Sequence, residues 1–332
     1  MTQTKIKNTD IEVYTMSYPM KLVPITVEAV WGGARLMNEK WNKKALGANV
    51  AESWELACHE KGESIVVNGE FSSRRLSGVL EENPEFLGEK GKEFSFFPIL
   101  VKLIDSKGDL SIQVHPDDEY ALREEGEFGK TEMWYIVDAK KGSGVYCGFK
   151  EPISKEQLGQ ALTDGNITDY LNFIEVHKGD CLFIPAGTVH AICGGILLCE
   201  VQQNSSITYR LYDYDRVDAG GNKRQLHIDK ALDVTDTSKV VNANENVVRV
   251  DDNTVILASC KYFTASEITC QEEYAFEVNG DSFVSLTVVD GSGAIMADGN
   301  CISLDLGDTV FLPAGLGKVS IFGNLKAISA KV

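Results

Sequence analysis

The chain has 332 residues, in which 49 aspartates and glutamates outnumber 32 lysines and arginines to give a formal net charge of −17. A charge of this sign and size repels the phosphate backbone of nucleic acids and an anionic membrane surface, so neither is an expected partner. Hydrophobic residues make up 43% of the chain and charged residues 24%. These values are typical of a globular protein and exclude a disordered or fibrous chain, and the length predicts two domains or one large domain with an insertion.

The first 20 residues contain no continuous apolar run. No later stretch reaches the roughly 18 uninterrupted apolar residues that a membrane-spanning helix needs. We therefore expect an N-terminal extension over residues 1–20, no signal peptide, and a cytoplasmic protein. The eight cysteines form no Cys-x-x-Cys pair, so we expect neither a thiolate zinc site nor a disulfide network in a protein without an export signal.

Most of the elements predicted along the rest of the chain are β-strands. Short apolar, aromatic or alternating runs are separated by turns rich in glycine and aspartate, which is typical of an all-β sandwich or barrel. In chain order, these runs cover residues 98–104, 110–115, 132–137, 181–186 and 196–203. Helical spacing is rarer, and it covers residues 73–88, 116–126, 154–165 (with Ser154 and Gly165 as caps) and 227–234. Because the helices fall between groups of strands, we predict a mainly β protein with a few inserted helices.

An internal repeat links two parts of the chain. Residues 179–187 read GDCLFIPAG and residues 307–315 read GDTVFLPAG, with six of nine positions identical. Each copy combines a Gly-Asp turn, an apolar strand and a Pro-x-Gly turn, so the repeat predicts two β domains of the same kind. We place the first domain at residues 21–240 and the second at residues 245–332.

The two copies differ immediately after the second turn. His190 follows the first copy, whereas Lys318 holds the matching position after the second copy. A protonated lysine has no lone pair to offer a metal. The first domain is therefore the candidate for metal binding, and the second is predicted to be metal-free and structural.

Four residues in the first domain form a candidate metal site. Strand alternation puts Gln113 and His115 on one face, Glu132 begins another strand, and His190 begins a third. All four offer nitrogen or oxygen donors. Their presence in three separate segments predicts that folding brings them together.

These residues carry a resemblance to known families. The pattern Gly-x5-Pro-x-Gly-x2-His at 179–190 resembles the second motif of the cupin superfamily, whose double-stranded β-helix (jelly roll) binds a metal. In the first cupin motif, Gln113 stands where the usual first histidine would be, and the insertion 116–131 displaces the glutamate. Gln-x-His-Pro-Asp at 113–117, followed by Lys-x-Glu-Met-Trp at 130–134, is similar to the type I phosphomannose isomerases. Further segments that match this family are WGG at 31–33, ESWE at 52–55 and TYRLYD at 208–213.

The resemblance covers about residues 21 to 240 and continues more weakly into the second domain. It implies two cupin-type jelly-roll domains and one Zn²⁺ per chain. The implied reaction interconverts mannose 6-phosphate and fructose 6-phosphate through a cis-enediol(ate), with a phosphorylated hexose as the substrate. The implied site residues are Gln113, His115, Glu132 and His190 for zinc, Lys130 and Arg210 for catalysis, and Ser111 and Lys102 for substrate binding.

The chemistry of these residues suits the implied reaction. Two histidines, a neutral glutamine and one glutamate leave a net positive charge at zinc, which favours a developing enediolate. Arg210 is expected to stabilise the same negative charge, and alternation puts Thr208, Arg210 and Tyr212 on one face. The proton shuttle stays open between Lys130, Asp213 and a zinc-bound water. No Gly-rich nucleotide-binding loop of the Walker type is present, so nucleotide binding is not expected.

Two other functions compete with the isomerase. Two histidines and one carboxylate also suit a non-haem iron oxygenase of the cupin superfamily, although Gln113 and the Lys130-x-Glu132 pair argue against it. The second alternative is a non-catalytic sugar-binding cupin, since the second domain already lacks the ligand set. The sequence leaves the choice between a monomer and a homodimer open.

Overall fold

The computed structural model describes residues 17–41, 43–44, 47–217, 220–238 and 240–332, so most of the predicted N-terminal extension lies outside the described residues. The strands, in chain order, are β1 (Met20–Val23), β2 (Ile25–Val27), β3 (Glu52–Leu56), β4 (Cys58–His59), β5 (Gly62–Glu63), β6 (Ile65–Val66), β7 (Ile99–Ser106), β8 (Ile112–Val114), β9 (Glu132–Ala139), β10 (Gly144–Phe149), β11 (Leu171–Glu175), β12 (Cys181–Ile184), β13 (His190–Ile192), β14 (Ile196–Gln203), β15 (Tyr209–Tyr212), β16 (Val248–Arg249), β17 (Thr254–Ser259), β18 (Thr264–Val278), β19 (Val284–Ala297), β20 (Asn300–Leu304), β21 (Thr309–Leu312) and β22 (Gly317–Lys331). The helices are α1 (Leu76–Glu82), α2 (Gly88–Gly91), α3 (Asp118–Glu124), α4 (Lys155–Asp164) and α5 (Ile228–Val234).

The mainly β fold class is confirmed, and the five helices lie between strands as predicted. Helix α4 begins after Ser154, whose side chain forms a capping box, and ends at Gly165 in the left-handed conformation, both as predicted. The helix predicted at 73–88 is shorter in the structure, where α1 ends at Glu82. Asn83 leaves the helical conformation ahead of Pro84, and a 3₁₀ turn follows. None of the described helices combines the length and the apolar character that crossing a bilayer requires. No disulfide joins any of the eight cysteines.

Three sheets build the molecule in layers. The middle layer is a six-stranded antiparallel sheet in the order β12-β9-β14-β7-β3-β2. A five-stranded sheet, β11-β10-β13-β8-β15, packs on one face through residues such as Trp134 and Ile192. The other face packs on a nine-stranded sheet, β16-β17-β18-β22-β19-β21-β1-β6 with β20 beside β19, through residues such as Leu103 and Phe311.

Strands β7 and β14 of the middle sheet are buried at all eight positions, because both faces of this sheet are covered. Alternation still decides which side chains face which layer. Val101 and Val201 contact the nine-stranded sheet's core, whereas Ile104 and Leu198 contact the five-stranded sheet's core. Charged residues on the same strand faces as Ile104 and Leu198 therefore point into the space between the six- and five-stranded sheets.

The repeat predicted from the sequence is confirmed in the backbone. Gly179 and Gly307 adopt left-handed φ angles of 96° and 87° in the two turns, and β12 and β21 follow at matching positions. In each copy the aspartate, Asp180 or Asp308, accepts a hydrogen bond from the backbone N–H three residues earlier, at 2.8 Å and 2.7 Å. The two segments are therefore one structural unit used twice.

The C-terminal strands share a sheet with the start of the described chain. Strands β18, β19 and β22 curl around a second core of aliphatic residues, and β1 extends the same sheet by pairing Met20 with Phe311 of β21. A buried ion pair adds to this connection, since Lys43 Nζ lies 2.7 Å from Glu55 Oε1 and donates to the Gly307 carbonyl at 2.6 Å. The proposed division at 21–240 and 245–332 stays a prediction, and strand pairing and core packing cross between the two parts.

Deleting residues 245–332 is expected to give insoluble protein. The deletion removes the nine-stranded sheet's main strands and exposes the face of the middle sheet that carries Leu103 and Val201, a large apolar patch of the kind that drives aggregation. The soluble fraction after expression, compared with the full-length chain prepared in parallel, measures the effect. A soluble and active truncated chain would refute a supporting role for this region.

Candidate active site

A buried cluster of three predicted zinc ligands lies between the five- and six-stranded sheets. One donor atom from each of His115, Glu132 and His190 falls within 4.8 Å of the others. His115 Nε2 lies 3.3 Å from Glu132 Oε1, and His190 Nε2 lies 3.7 Å from Glu132 Oε2. All three side chains are at most 1% exposed, so the cluster is closed to bulk solvent.

Strand pairing brings these residues together. In the five-stranded sheet His190 of β13 stands opposite Gln113 of β8, and Glu132 begins β9 in the facing sheet. The Pro-x-Gly turn is also hydrogen-bonded to the segment of His115, because Gly187 N–H donates to the His115 carbonyl at 2.8 Å. Gly187 has a φ of 83°, a conformation that favours glycine. The turn found in the sequence repeat thus fixes where His190 and His115 meet.

Gln113, the fourth predicted ligand, lies at the edge of this cluster. Its Nε2 is 3.4 Å from His190 Nε2, while its Oε1 accepts a hydrogen bond of 3.3 Å from Ser111 Oγ. A glutamine ligates a metal through oxygen, so the amide must turn over to present Oε1 to the cluster. Ser111 can then accept a hydrogen bond from the amide nitrogen instead of donating to the oxygen.

The protonation states of the cluster suit a cation. Burial, followed by the Lys130 ammonium, lowers the pKa of His115 to about 3, and burial also lowers the pKa of His190. Burial alone would raise the pKa of Glu132, but Lys130 and His115 outweigh it and hold that pKa well below its ordinary value. Neutral imidazoles and an ionised carboxylate are the forms that bind metals.

Buried polar atoms without hydrogen-bond partners in the cluster also indicate a place for a metal. Neither Glu132 Oε2 nor His115 Nδ1 has a hydrogen-bond partner among the described residues, while Glu132 Oε1 is contacted by Lys130 Nζ at 2.7 Å. Buried polar atoms without partners are costly and rare in folded proteins. Two imidazoles, a carboxylate and an amide oxygen form a four-ligand set that zinc accepts. The residues present therefore fit a bound zinc ion.

His190 is oriented by its other ring nitrogen. Nδ1 donates to the Thr188 carbonyl at 2.8 Å, which leaves the Nε2 lone pair facing Glu132. Trp134 packs edge-on against the His190 ring at 5.4 Å. This fixed ring geometry is typical of a metal-ligating histidine.

A cavity of about 240 Å³ adjoins the cluster through Gln113 and Lys130. It contains all the remaining predicted site residues and several that the sequence analysis missed. Its charged lining residues are Glu52, Lys102, Lys130, Glu200, Arg210 and Arg224. Its polar lining residues include Ser111, Ser206 and Thr208.

The two predicted catalytic cations differ in their partners. Lys130 Nζ lies 2.7 Å from Glu132 Oε1 and 3.4 Å from His115 Nε2, next to the proposed metal. Arg210 stands opposite Gln113 in the sheet, and its guanidinium forms no ion pair among the described residues, where its buried Nε also lacks a hydrogen bond. Burial, followed by the neighbouring Arg224, lowers the pKa of Arg210. An unpaired guanidinium of this kind is available to an anion.

Lys102 is held between two carboxylates. Its Nζ lies 3.4 Å from Glu52 Oε2 and 3.6 Å from Glu200 Oε1, and it sits over the Trp54 ring at 5.0 Å. Burial would lower the pKa of Lys102, but Glu52 and Glu200 outweigh it and raise that pKa. Lys102 therefore stays charged, with its charge largely offset by the two carboxylates.

Glu200 is the main residue that the sequence analysis missed. Its Oε2 accepts from Trp134 Nε1 at 2.8 Å, and burial, followed by repulsion from Glu132, raises its pKa to about 7. The sequence feature that could have identified it is a lone carboxylate within the apolar strand 196–203, on the strand face that points to the cavity. A carboxyl that titrates near neutral pH in a cleft is a candidate for acid–base work.

Asp213, one of the open candidates for the proton shuttle, is engaged elsewhere. Its carboxylate accepts hydrogen bonds from both Arg216 and Arg224. Burial would raise the pKa of Asp213, but the two arginines outweigh it and lower that pKa. Because both arginines stabilise the ionised form, Asp213 is a weak base and a poor proton shuttle.

Glu200 is expected to make the stability of the metal-stripped protein depend on pH. Its pKa, raised to about 7, means that the folded state binds this proton more tightly than the unfolded chain does. This contribution to stability is present below the ordinary carboxyl pKa and is lost as the pH rises through the folded value. The side chain of Glu200→Gln stays neutral, so this variant does not lose stability as the pH rises. Its melting temperature is therefore expected to exceed that of the unmodified protein by a few degrees at pH 8 but not at pH 4. Parallel pH profiles of melting temperature for the two chelated proteins would contradict this.

Comparisons with known proteins agree with one another. A family model described as the phosphomannose isomerase type I catalytic domain matches residues 20–145, and one described as the mannose-6-phosphate isomerase cupin domain matches residues 253–332. The mannose-6-phosphate isomerase ManA of Bacillus subtilis (strain 168) is 35% identical over 313 residues, which are 93% of this chain and 98% of the relative.

Solved structures give the same result. The crystal structure of the mannose 6-phosphate isomerase from Bacillus subtilis has a TM-score of 0.88 at 34% identity, covering 96% of this chain and 100% of that chain. A structure of mannose 6-phosphate isomerase bound with zinc and yttrium has a TM-score of 0.75 at 17% identity, covering 94% and 98% of the two chains, and this likeness concerns the fold alone.

Proposed function

The chain belongs to the type I phosphomannose isomerases, and from this premise we propose that it interconverts mannose 6-phosphate and fructose 6-phosphate at one zinc ion. The observation that carries the proposal is the cavity in which Lys130 contacts both Glu132 and His115, at 2.7 Å and 3.4 Å, beside the unpaired Arg210. Family membership favours an isomerase over an iron oxygenase or a silent sugar-binding cupin.

The zinc ligands in this proposal are Gln113, His115, Glu132 and His190. When bound, the ion acts as a Lewis acid that polarises the carbonyl of the open-chain sugar, with no change of redox state. The protein contributes a dry, fixed ligand set, since the three residues of the buried cluster are at most 1% exposed. Thr188 holds the orientation of His190, and Ser111 contacts the Gln113 amide.

The isomerisation moves one carbon-bound proton between C2 and C1 and one hydroxyl proton between O2 and O1, through a cis-enediol(ate). In the forward direction Lys130 first loses its ammonium proton to solvent as substrate binds. The amine then removes the proton from C2, and the ammonium so formed returns a proton to C1 of the enediol(ate). The contact with Glu132 holds the Lys130 Nζ beside the reacting carbons. General acid–base catalysis by one positioned group is the usual route for such a transfer.

Arg210 stabilises the negative charge that forms on oxygen during the transfer. Its guanidinium is half-buried and forms no direct ion pair among the described residues, so it is available to the negative charge of a substrate in the cavity. Lys102 and Ser111 bind hydroxyl groups of the sugar. Glu200 lies beside Lys102, where a carboxyl with a pKa of about 7 can exchange protons with the hydroxyls.

A coupled assay tests the proposal. Purified protein is given mannose 6-phosphate, and fructose 6-phosphate is followed before chelation, after chelation and after zinc is added back. Activity that disappears with the chelator and returns with zinc supports the isomerase. Zinc-loaded protein that does not turn over the substrate rejects it, and iron content with oxygen uptake then separates an oxygenase from a sugar binder. The cytoplasmic location and the choice between monomer and homodimer stay predictions.

A further inference from the structure

The position of the phosphate in the cavity follows from the substrate's chemistry. Mannose 6-phosphate and fructose 6-phosphate react at C1 and C2, and the phosphate is attached at the opposite end of the carbon chain. With the reacting carbons beside the buried metal cluster, the phosphate must lie on the more exposed side of the cavity. Arg224 is on that side, since its side chain is 29% exposed while His115 and His190 are at most 1% exposed.

Lys102 is poorly suited to hold this phosphate. It is 7% exposed, and two carboxylates lie within 3.6 Å of its ammonium. A dianion placed there would also meet Glu52 and Glu200 at close range. The cavity's other cations are therefore better candidates.

Arg224 is held in a fixed orientation by Asp213. Its Nε donates to Asp213 Oδ2 at 2.8 Å, and its Nη2 donates to Oδ1 of the same carboxylate. Asp213 is in turn fixed by Arg216, which does not line the cavity. The guanidinium is therefore positioned before any ligand arrives, and among the described residues its Nη1 makes no further hydrogen bond.

Positive charge exceeds negative charge at this wall of the cavity. Arg210 and Arg224 are close enough for Arg224 to lower the pKa of Arg210. Asp213 pairs with Arg224 and with Arg216, which lies outside the cavity, and makes no ion pair with Arg210 among the described residues. Ser206 and Thr208 line the same cavity. Planar guanidinium forks and hydroxyl groups are the donors that phosphate oxygens accept.

We propose that Arg224, oriented by Asp213, binds the phosphate of the hexose phosphate and thereby makes the enzyme specific for phosphorylated sugars. The proposal rests on the proposed isomerase function and adds a residue that neither the resemblance nor the sequence repeat indicates. Arg210 faces the reacting end of the substrate, and Arg224 anchors the other end. Two guanidiniums in one cavity thus have separate tasks.

The test compares Arg224→Gln with Arg216→Gln in the zinc-loaded enzyme. Both substitutions remove one arginine from Asp213, but only Arg224 lines the cavity. Arg224→Gln is expected to raise the KM for mannose 6-phosphate about 10- to 100-fold with little change in kcat, as loss of a charge-assisted phosphate contact does. The inhibition constant of inorganic phosphate rises by the same factor. Arg216→Gln and the exposed Lys223→Gln, which controls for net charge, stay within about threefold of the unmodified enzyme.

Three outcomes overturn the proposal. An unchanged KM and phosphate inhibition in Arg224→Gln would show that Arg224 does not touch the phosphate. An equal rise in Arg216→Gln would show that Asp213 supports the fold and not an anion site. If the unmodified enzyme shows no turnover, the proposed function fails, and titration calorimetry with inorganic phosphate still tests the subsite. Equal phosphate affinity in the unmodified protein and in Arg224→Gln would then reject it.

Discussion

His115→Ala is expected to leave the protein folded but without zinc, and to lower kcat/KM for mannose 6-phosphate by about a thousand-fold or more. His115 supplies one of the three clustered ligands, with Nε2 3.3 Å from Glu132 Oε1. Removing an imidazole leaves one histidine, one carboxylate and a neutral amide, which is a weaker donor set than the three strong ligands of typical catalytic zinc sites. Zinc content by mass spectrometry and the coupled assay measure the two effects on the same preparation.

The matched control is His177→Ala. His177 has a side chain that is 75% exposed and lies outside the site, so this variant is expected to keep its zinc and its activity. A melting temperature close to that of the chelated unmodified protein shows that His115→Ala is folded. If His115→Ala retained one zinc ion and full activity, the proposed ligand set would be wrong.

Lys130→Met is expected to lower kcat by about 10²- to 10⁴-fold while the zinc content stays unchanged. Methionine keeps an unbranched side chain of similar length but removes the amine that lies 2.7 Å from Glu132 Oε1. Exchange of the C2 proton of mannose 6-phosphate with deuterium from the solvent gives a second readout. This exchange is expected to slow in step with kcat, because both require proton removal from C2.

The control for this experiment is Lys178→Met, which removes an exposed lysine that pairs with Asp290 on the surface. Its kcat and its deuterium exchange are expected to match those of the unmodified enzyme. If Lys130→Met kept a normal kcat, Lys130 would not be the proton shuttle, and Glu200 would become the next candidate. Loss of zinc in Lys130→Met would indicate instead that the lysine supports the ligand Glu132.

Local patterns in the sequence predict much of this structure. The apolar run 196–203 is β14 with the same bounds, and the caps of α4 are the residues named from the sequence. Period-two alternation predicts that Gln113 and His115 share a face, and in the structure both side chains lie beside His190. The repeat predicts two turns with left-handed glycines, and the turns have this conformation.

Features that depend on distant pairing were not predictable. Glu200 lines the cavity beside Lys102 because β14 lies between β7 and β9, and a single sequence does not state which strands are neighbours. Arg224 follows no strand pattern, and its position depends on Asp213. Tyr212 was predicted to share the cavity face with Arg210, but the register shifts between them, and Tyr212 packs in the core beneath the five-stranded sheet. A bulge of this kind changes the face of every residue that follows it.

The pairing of Met20 with Phe311 has a consequence for biosynthesis. Nearly the whole chain separates these two positions, so strand β1 leaves the ribosome long before its partner β21 exists. Contacts between residues so far apart in sequence slow folding, because a long loop must close before they form. During translation the nascent chain therefore contains all four proposed zinc ligands while one face of its middle sheet still lacks the strands that cover it. Final closure of the fold therefore follows the synthesis of β21.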